Sequence, residues 1–307
     1  MLHLPANPAI SIIIPTHNGA AKILNVLQSL EKQTFNDFEV VVIVGGSTDN
    51  TLEILQGQRF GFYSFRVVSQ DNRGRAGNRN RGASEAGGDL LLFFDDDTRL
   101  IPGCVQMHWE HHQKYPRTVA VGNVPEDLEW MRTDFQRYKA HLSRKWVEPL
   151  QADNGRIPAD KPFLTAANFS IPKELFVQLG GFDENLTDAE DFDLAVRVTQ
   201  SNIPIYFLSQ AIAWHDDFIT CASYIRRQLQ YREAHRKLRQ LKPDLYQAIV
   251  QYQPAPLTPL KKLVYRLFAG RFWVKTVDNH NFLRFLPQGI RYRIYDFIIT
   301  SQSTYYP

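Results

Sequence analysis

Short, wholly apolar runs alternate along the first third of the chain with stretches whose apolar positions recur every three or four residues. The runs are Ile10-Ser11-Ile12-Ile13-Ile14, Phe38 to Val44, Phe65 to Val68 and Leu90 to Phe94. Runs this short and uniform predict strands buried on both faces, as in a parallel sheet. Between them, Ile23, Leu24, Leu27 and Leu30 keep helical spacing, and a second helix is expected to run through Leu55. Gly77 to Ala86 reads as a third helix, stopped by Gly87-Gly88. Strands alternating with helices at this interval predict βαβ units, a mostly parallel sheet and right-handed crossovers.

The pattern loosens downstream. A helix is expected from Pro102 to Lys114, a strand at Val119-Ala120-Val121, and helical structure within Leu128 to Val147. Asp153-Asn154-Gly155 and Pro158 to Pro162 read as loop. Lys173 to Leu179 and Glu190 to Gln200 read as helices, and Ile205 to Leu208 as a strand. A long basic helix is predicted over Cys221 to Leu241. Pro254, Pro256 and Pro259 then break the chain before two amphipathic helices. The expected division is a catalytic domain over 1–220, with halves of about 9–123 and 124–220, followed by a basic helical extension over 221–307.

Charge sharpens this division. Residues 1–220 carry 20 Lys+Arg against 28 Asp+Glu, whereas residues 221–307 carry 15 against 4. The tail is therefore expected to meet an anionic partner or the acidic body. A nucleic-acid role is disfavoured, because the body that would hold the site is acidic. Residues 255–307 interleave basic groups with Tyr265, Phe268, Phe272, Trp273, Phe282 and Phe285. That pattern suits either an anionic membrane surface or packing of the aromatics on the catalytic domain. No stretch has the length of a membrane span and no signal peptide is apparent. With only Cys104 and Cys221, the chain fits a reducing compartment. The expected localisation is cytoplasmic, with peripheral membrane contact.

The chemistry begins at Asp95-Asp96-Asp97, directly after the run Leu90 to Phe94. The carboxylates should emerge at the C-terminal end of a central strand, where open α/β sheets bind ligands. Three adjacent carboxylates repel one another unless a cation is present. Hard oxygen ligands suit Mg²⁺ or Mn²⁺ shared with substrate phosphates. The first βα turn, Pro15-Thr16-His17-Asn18-Gly19, matches neither a P-loop nor a dinucleotide fingerprint.

At this point the chain resembles the family 2 inverting glycosyltransferases of GT-A fold. The resemblance rests on Ser11 to Asn18, the Gly46-Ser47-Thr48-Asp49 turn, and Gly74-Arg75 with Arg79-Asn80-Arg81-Gly82. The Asp triplet, Gly180-Gly181-Phe182-Asp183-Glu184, Glu190-Asp191 and His215 continue it in order over roughly residues 9–216. It implies a nucleotide-sugar donor, a divalent metal on the donor diphosphate, and a DXD motif. It also implies a fold with a mostly parallel nucleotide-binding sheet flanked by helices.

By that resemblance, Asp97 is the main metal ligand, joined by Asp95 and His215. Asp95 or Asp96 orients ribose and phosphate, and Arg75 or Arg79 contacts the nucleotide. Pro15, Thr16 and Asn18 are expected at the nucleotide, and Thr165, Asn168 and Gly181 on the donor-sugar side. The family's acidic pair aligns with Glu190 and Asp191. An inverting displacement needs a carboxylate base for the acceptor hydroxyl. Asp191 is the expected base and Glu190 its supporting or acceptor-binding neighbour. One departure stands out: the family usually has aspartate before the Gly-Ser turn, where this chain has Val44-Gly45. The nucleobase contact then falls to another residue, Asp49 or Asp71, or is missing. UDP-sugar is the default donor, and a polysaccharide, glycolipid or glycoprotein precursor the acceptor, with hexosyl transfer as the reaction. The alternatives are a sugar-phosphate nucleotidyltransferase and a catalytically silent nucleotide-binding scaffold.

Overall fold

The computed structural model describes residues 7–247, 256–280 and 282–307. Pro254 lies outside them. In chain order the first elements are β1 (Ile10–Thr16), α1 (Ile23–Leu30), β2 (Phe38–Gly45), α2 (Thr51–Gln56), β3 (Ser64–Gln70), α3 (Gly74–Glu85) and β4 (Leu90–Phe94). Next come β5 (Thr98–Leu100), α4 (Cys104–Lys114), β6 (Val119–Asn123), α5 (Asp134–Val147), β7 (Asn168–Pro172), α6 (Lys173–Gln178), α7 (Glu190–Gln200) and β8 (Ile205–His215). The remaining helices are α8 (Cys221–Leu241), α9 (Pro243–Gln247), α10 (Pro259–Phe268), α11 (Arg271–Lys275) and α12 (Gln288–Thr300).

The chain separates into two compact units. The first comprises the chain through Pro125 together with Trp146–Asp216, and the second Glu126–Lys145 with Asp217–Pro307. Residues 126–145, assigned from the sequence to the first domain, thus pack with the C-terminal segment.

The first unit is built on an eight-stranded sheet of order β3-β2-β1-β4-β7-β6-β8-β5. The apolar runs form strands because both faces are covered. In β1, Ile10, Ile12 and Ile14 enter one core while Ile13 enters the other. In β4, Leu90, Leu92 and Phe94 face the first of these and Leu91 and Phe93 the second. This is the period of two expected of a strand without a wet face. β1 pairs in parallel with β2 and β4. The sheet is mixed, however, because β7 runs antiparallel between β4 and β6, and β5 antiparallel to β8. Neither antiparallel strand was expected from the sequence.

The second unit gathers Phe135, Tyr138, Cys221, Ile225, Tyr295 and Ile298 into its own core. Asp278 accepts from the backbone of Cys221 and Ala222 at 2.7 and 3.0 Å, placing a carboxylate at the N-terminus of α8. Thr220 and Ser223 complete a capping box there. Asp134 receives both Arg291, at 2.6 and 2.8 Å, and the Tyr295 hydroxyl, at 2.7 Å. Among the described residues, three helices, α10, α11 and α12, stand from Pro259 onward where two were expected. No helix among the described residues is long and apolar enough to cross a membrane.

Candidate active site

The Asp triplet leaves β4 in a tight turn, with the Thr98 hydroxyl donating to the Asp95 carbonyl at 2.8 Å. The turn gives each carboxylate a different set of partners, with Lys22 shared by two of them. Asp95 meets Arg79 at 2.6 Å. Asp96 accepts from the Thr16 hydroxyl at 2.5 Å and meets Lys22 Nζ at 2.8 Å. Asp97 faces Lys22 at 3.5 Å with one oxygen and His215 Nε2 at 3.7 Å with the other. The register Thr98↔His215 between β5 and β8 brings that histidine in, and the Asp216 amide donates to the Asp97 carbonyl at 2.9 Å.

These partners set the charges. Burial alone would raise the Asp95 carboxyl, but the adjacent Arg79 guanidinium overrides it and holds it below the usual range. Asp96 goes the other way: its burial outweighs Lys22 and Thr16, and its carboxyl is raised. Burial opposes the charge on Lys22, yet Asp96 and Asp97 overcome it and raise the ammonium.

Arg79 is the centre of the arrangement. It is 3% exposed and donates from Nη2 to Asp95 and from Nη1 to Glu190 at 2.7 Å. Its carbon lies 5.6 Å from the centre of the Phe182 ring, and its Nε has no hydrogen-bond partner. Glu190 opens α7 after Ala189, whose φ of 62° is left-handed. Asp191 sits outside this bridge, half-buried, with Phe192 N donating to it at 2.8 Å. Burial and the Glu190 charge push its carboxyl up to about 6, against the pull of Arg79. Gly181 is left-handed at φ 65°, and a Cβ there would stand 2.8 Å from Asn80 Oδ1. Asn80 clasps the amide and carbonyl of Phe182 at 2.9 and 2.8 Å, so the Gly180-Gly181 turn is pinned to α3.

The loops after β1 and β2 are stitched together. Asn18, at φ 52°, accepts from the amide of Thr48 at 2.8 Å, and its own amide donates to Ser47 at 3.0 Å. Asp49 receives the amides of Ala20 and Thr51 and the Thr51 hydroxyl. These bonds hold the turn. At Gly45 a Cβ would lie 2.1 Å from Asn78 Nδ2, and Asn78 accepts from Gln70 at 2.7 Å. Asn78 thus fills the room that a side chain at position 45 would need.

The other expected site residues lie as follows. Asn168 is fully buried in β7 and donates to the carbonyls of Asn123 and Ala211 while its Oδ1 meets His108 Nε2 at 2.9 Å. It ties strands together. Asp95, expected as a metal ligand, pairs with Arg79. Thr165 is half-buried and accepts from the Ala167 amide at 3.4 Å. Arg75 is exposed near Asp188 at 3.5 Å, and Pro15 is half-buried at the end of β1.

Among the described residues, no group of three or more His, Cys, Asp or Glu converges as a metal site. Asp97 and His215 nevertheless fit a hard cation. Asp97 Oδ1 is buried, has no hydrogen-bond partner and points at the imidazole. One or two protein ligands completed by substrate phosphates is the usual coordination of Mg²⁺. Sequence reasoning missed Lys22, which reads as the polar edge of a helix, and Asn78 and Asn80, which carry no charge pattern to mark them.

The model of glycosyl transferase family 2 matches residues 11–180. An uncharacterized glycosyltransferase of Haemophilus influenzae is 27% identical over 191 residues, 62% of each chain. Validoxylamine A glucosyltransferase of Streptomyces hygroscopicus subsp. jinggangensis is 29% identical over 240 residues, 64% of this chain and 53% of that one. The matches span about half to two thirds of these relatives' length. The mannosyltransferase PcManGT from Pyrobaculum calidifontis, solved with GDP-Man and Mn²⁺, aligns with a TM-score of 0.61 at 17% identity. The alignment covers 98% of this chain and 88% of that chain, a likeness of fold.

Proposed function

The chain belongs to glycosyl transferase family 2, with a GT-A fold, and from that membership we infer that it moves a hexosyl group from a nucleotide-sugar to an acceptor hydroxyl with inversion. The observation that carries this reading is the Arg79 bridge between Asp95 and Glu190. One guanidinium charge is shared between these two carboxylates, and Asp191, outside the bridge, is left as a carboxylate with a raised pKa. The acceptor oxygen forms its bond to the anomeric carbon as the bond to the diphosphate oxygen breaks. The electron pair leaves with the nucleoside diphosphate, and the acceptor proton passes to Asp191. Attack from the face opposite the leaving group gives inversion. Asp97 and His215 would hold Mn²⁺ or Mg²⁺, which when bound neutralises charge on the departing diphosphate. Lys22 adds a second cation beside these carboxylates.

UDP-sugar stays the default donor; PcManGT, solved with GDP-Man, keeps a GDP-sugar in view. Asp71 is the remaining candidate for the nucleobase, since Asp49 is tied to its turn. The acceptor is read as a saccharide or lipid-linked precursor at the cytoplasmic face of a membrane, with the basic second unit at the surface. A nucleotidyltransferase or silent scaffold gains no support from the Arg79 bridge. The test is nucleotide-sugar turnover with Mn²⁺, across UDP-, GDP-, dTDP- and CDP-sugars, with the product anomer read by NMR. Retention of configuration, or pyrophosphate release from a nucleoside triphosphate, would overturn the reading.

A further inference from the structure

Helix α10 carries two apolar faces, and the described residues cover one of them. Tyr265 packs on Phe297 and Tyr305, with ring centres 5.8 and 4.9 Å apart, and Phe268 stacks on Phe297 at 5.5 Å. These rings bind the helix into the second unit. At about 100° per residue, Leu260, Leu263 and Leu267 share a stripe well away from that face. Their exposures are 72%, 67% and 64%, and Phe272 beyond the helix is 71% exposed. The aromatics highlighted in the sequence therefore divide: Tyr265, Phe268 and Trp273 pack inward, whereas Phe272, Phe282 and Phe285 are exposed.

The charge around this stripe is of one sign. By the same spacing Arg266 flanks the leucines, Lys262 lies one step further round the helix, and Arg271 follows. None of the three has a carboxylate partner among the described residues, and α10 itself holds no acidic residue. An apolar stripe rimmed by free cations complements a surface that offers both anions and hydrocarbon. A second copy of the same face would bring like charges together.

We propose that the outer face of α10, Leu260-Leu263-Leu267 with Phe272, docks into an anionic phospholipid surface, Lys262, Arg266 and Arg271 meeting the headgroups. This rests on the surface-binding reading given above and names the face that performs it. Exposed leucines enter the acyl boundary, giving a salt-resistant share, while the cations give a share that salt screens.

The test is co-sedimentation of the full chain with phosphatidylcholine vesicles, with and without phosphatidylglycerol. Binding is expected only with the anionic lipid and is partly lost on raising salt. Leu263→Glu/Leu267→Glu alters exposed positions, should keep the melting temperature, and should weaken binding by on the order of tenfold or more at any salt. Lys262→Gln/Arg266→Gln should bind less and lose most of its salt dependence. Unchanged binding by the leucine variant overturns this face while leaving surface binding standing. Absence of vesicle binding by the unaltered chain overturns both. A dimer in solution that the leucine variant dissolves, without vesicle binding, would make the face a self-contact and overturn the proposal.

Discussion

Arg79 donates to Glu190 at 2.7 Å across 111 residues of sequence, and both side chains are buried. The same guanidinium holds Asp95, so its loss leaves two carboxylates without their cation. Removing one partner of a buried pair typically costs about 3–5 kcal/mol. Arg79→Met is expected to lower the melting temperature by roughly 2–4 °C for each kcal/mol lost. Differential scanning calorimetry checks this. Glu190→Gln, which keeps one acceptor oxygen, should cost much less.

Asp191 gives a paired prediction. As the base it must be ionised, so kcat/KM should fall as pH drops below about 6, the value to which its carboxyl is pushed. Asp191→Asn should lose about 10²–10⁴ in rate while retaining donor binding. Stability moves the opposite way. A carboxyl raised in the folded state above its unfolded value stabilises at low pH and loses that contribution as pH rises through the folded value. Asp191→Asn should therefore melt higher than the parent at pH 7.5, and the gap should close at pH 4.5. A pH series of thermal melts decides the point.

Metal dependence is expected to sit on Asp97 and His215. Asp97→Asn should abolish the Mn²⁺-dependent part of nucleotide binding in calorimetry without unfolding the chain, and EDTA should do the same to the unaltered protein. Unchanged metal-dependent affinity in the variant would remove Asp97 from the site.

Lys22 competes for the same carboxylates. Removing a charge at this distance in a partly wet site is worth about 1 kcal/mol, a factor of about five. Lys22→Met should bind Mn²⁺ more tightly in the absence of donor, a shift that Mn²⁺ titration followed by electron paramagnetic resonance reads directly.

Gly45 tests the departure from the family pattern. Gly45→Asp should destabilise the chain, because its Cβ would meet Asn78. Adding Asn78→Ala should recover part of the loss in the same thermal melt.

Much of this was written in the chain and some was not. β1, β2 and β4 are legible because every residue but Pro15 is buried and most are apolar. β7 is not, because its buried Asn168 and Ser170 are polar and are satisfied by His108 and His112 from α4. Burial keeps those two imidazoles neutral, pushing them down to about 4 and about 3. No local pattern reveals such a pairing. In the candidate site, the order of acidic motifs singled out Asp97 and Asp191 as residues to test. What it hid was partnership: which of three adjacent aspartates meets the arginine depends on a turn, and the glutamate it shares comes from another helix.

The second unit has a consequence for how the chain is made. Helix α5 finds its partners Tyr292 and Tyr295 on α12, so Tyr138 leaves the ribosome some 150 residues before the groups that bury it. At about 5–20 residues per second that is a wait on the order of ten to thirty seconds. Every strand of the sheet is translated before residue 216, while the exposed face of α5 still lacks its cover. An early stop near residue 220 would leave Phe135 and Tyr138 bare on every copy, an adhesive patch that the finished chain never shows. Shortened versions should for that reason be cut so that 126–145 is removed together with the C-terminal helices.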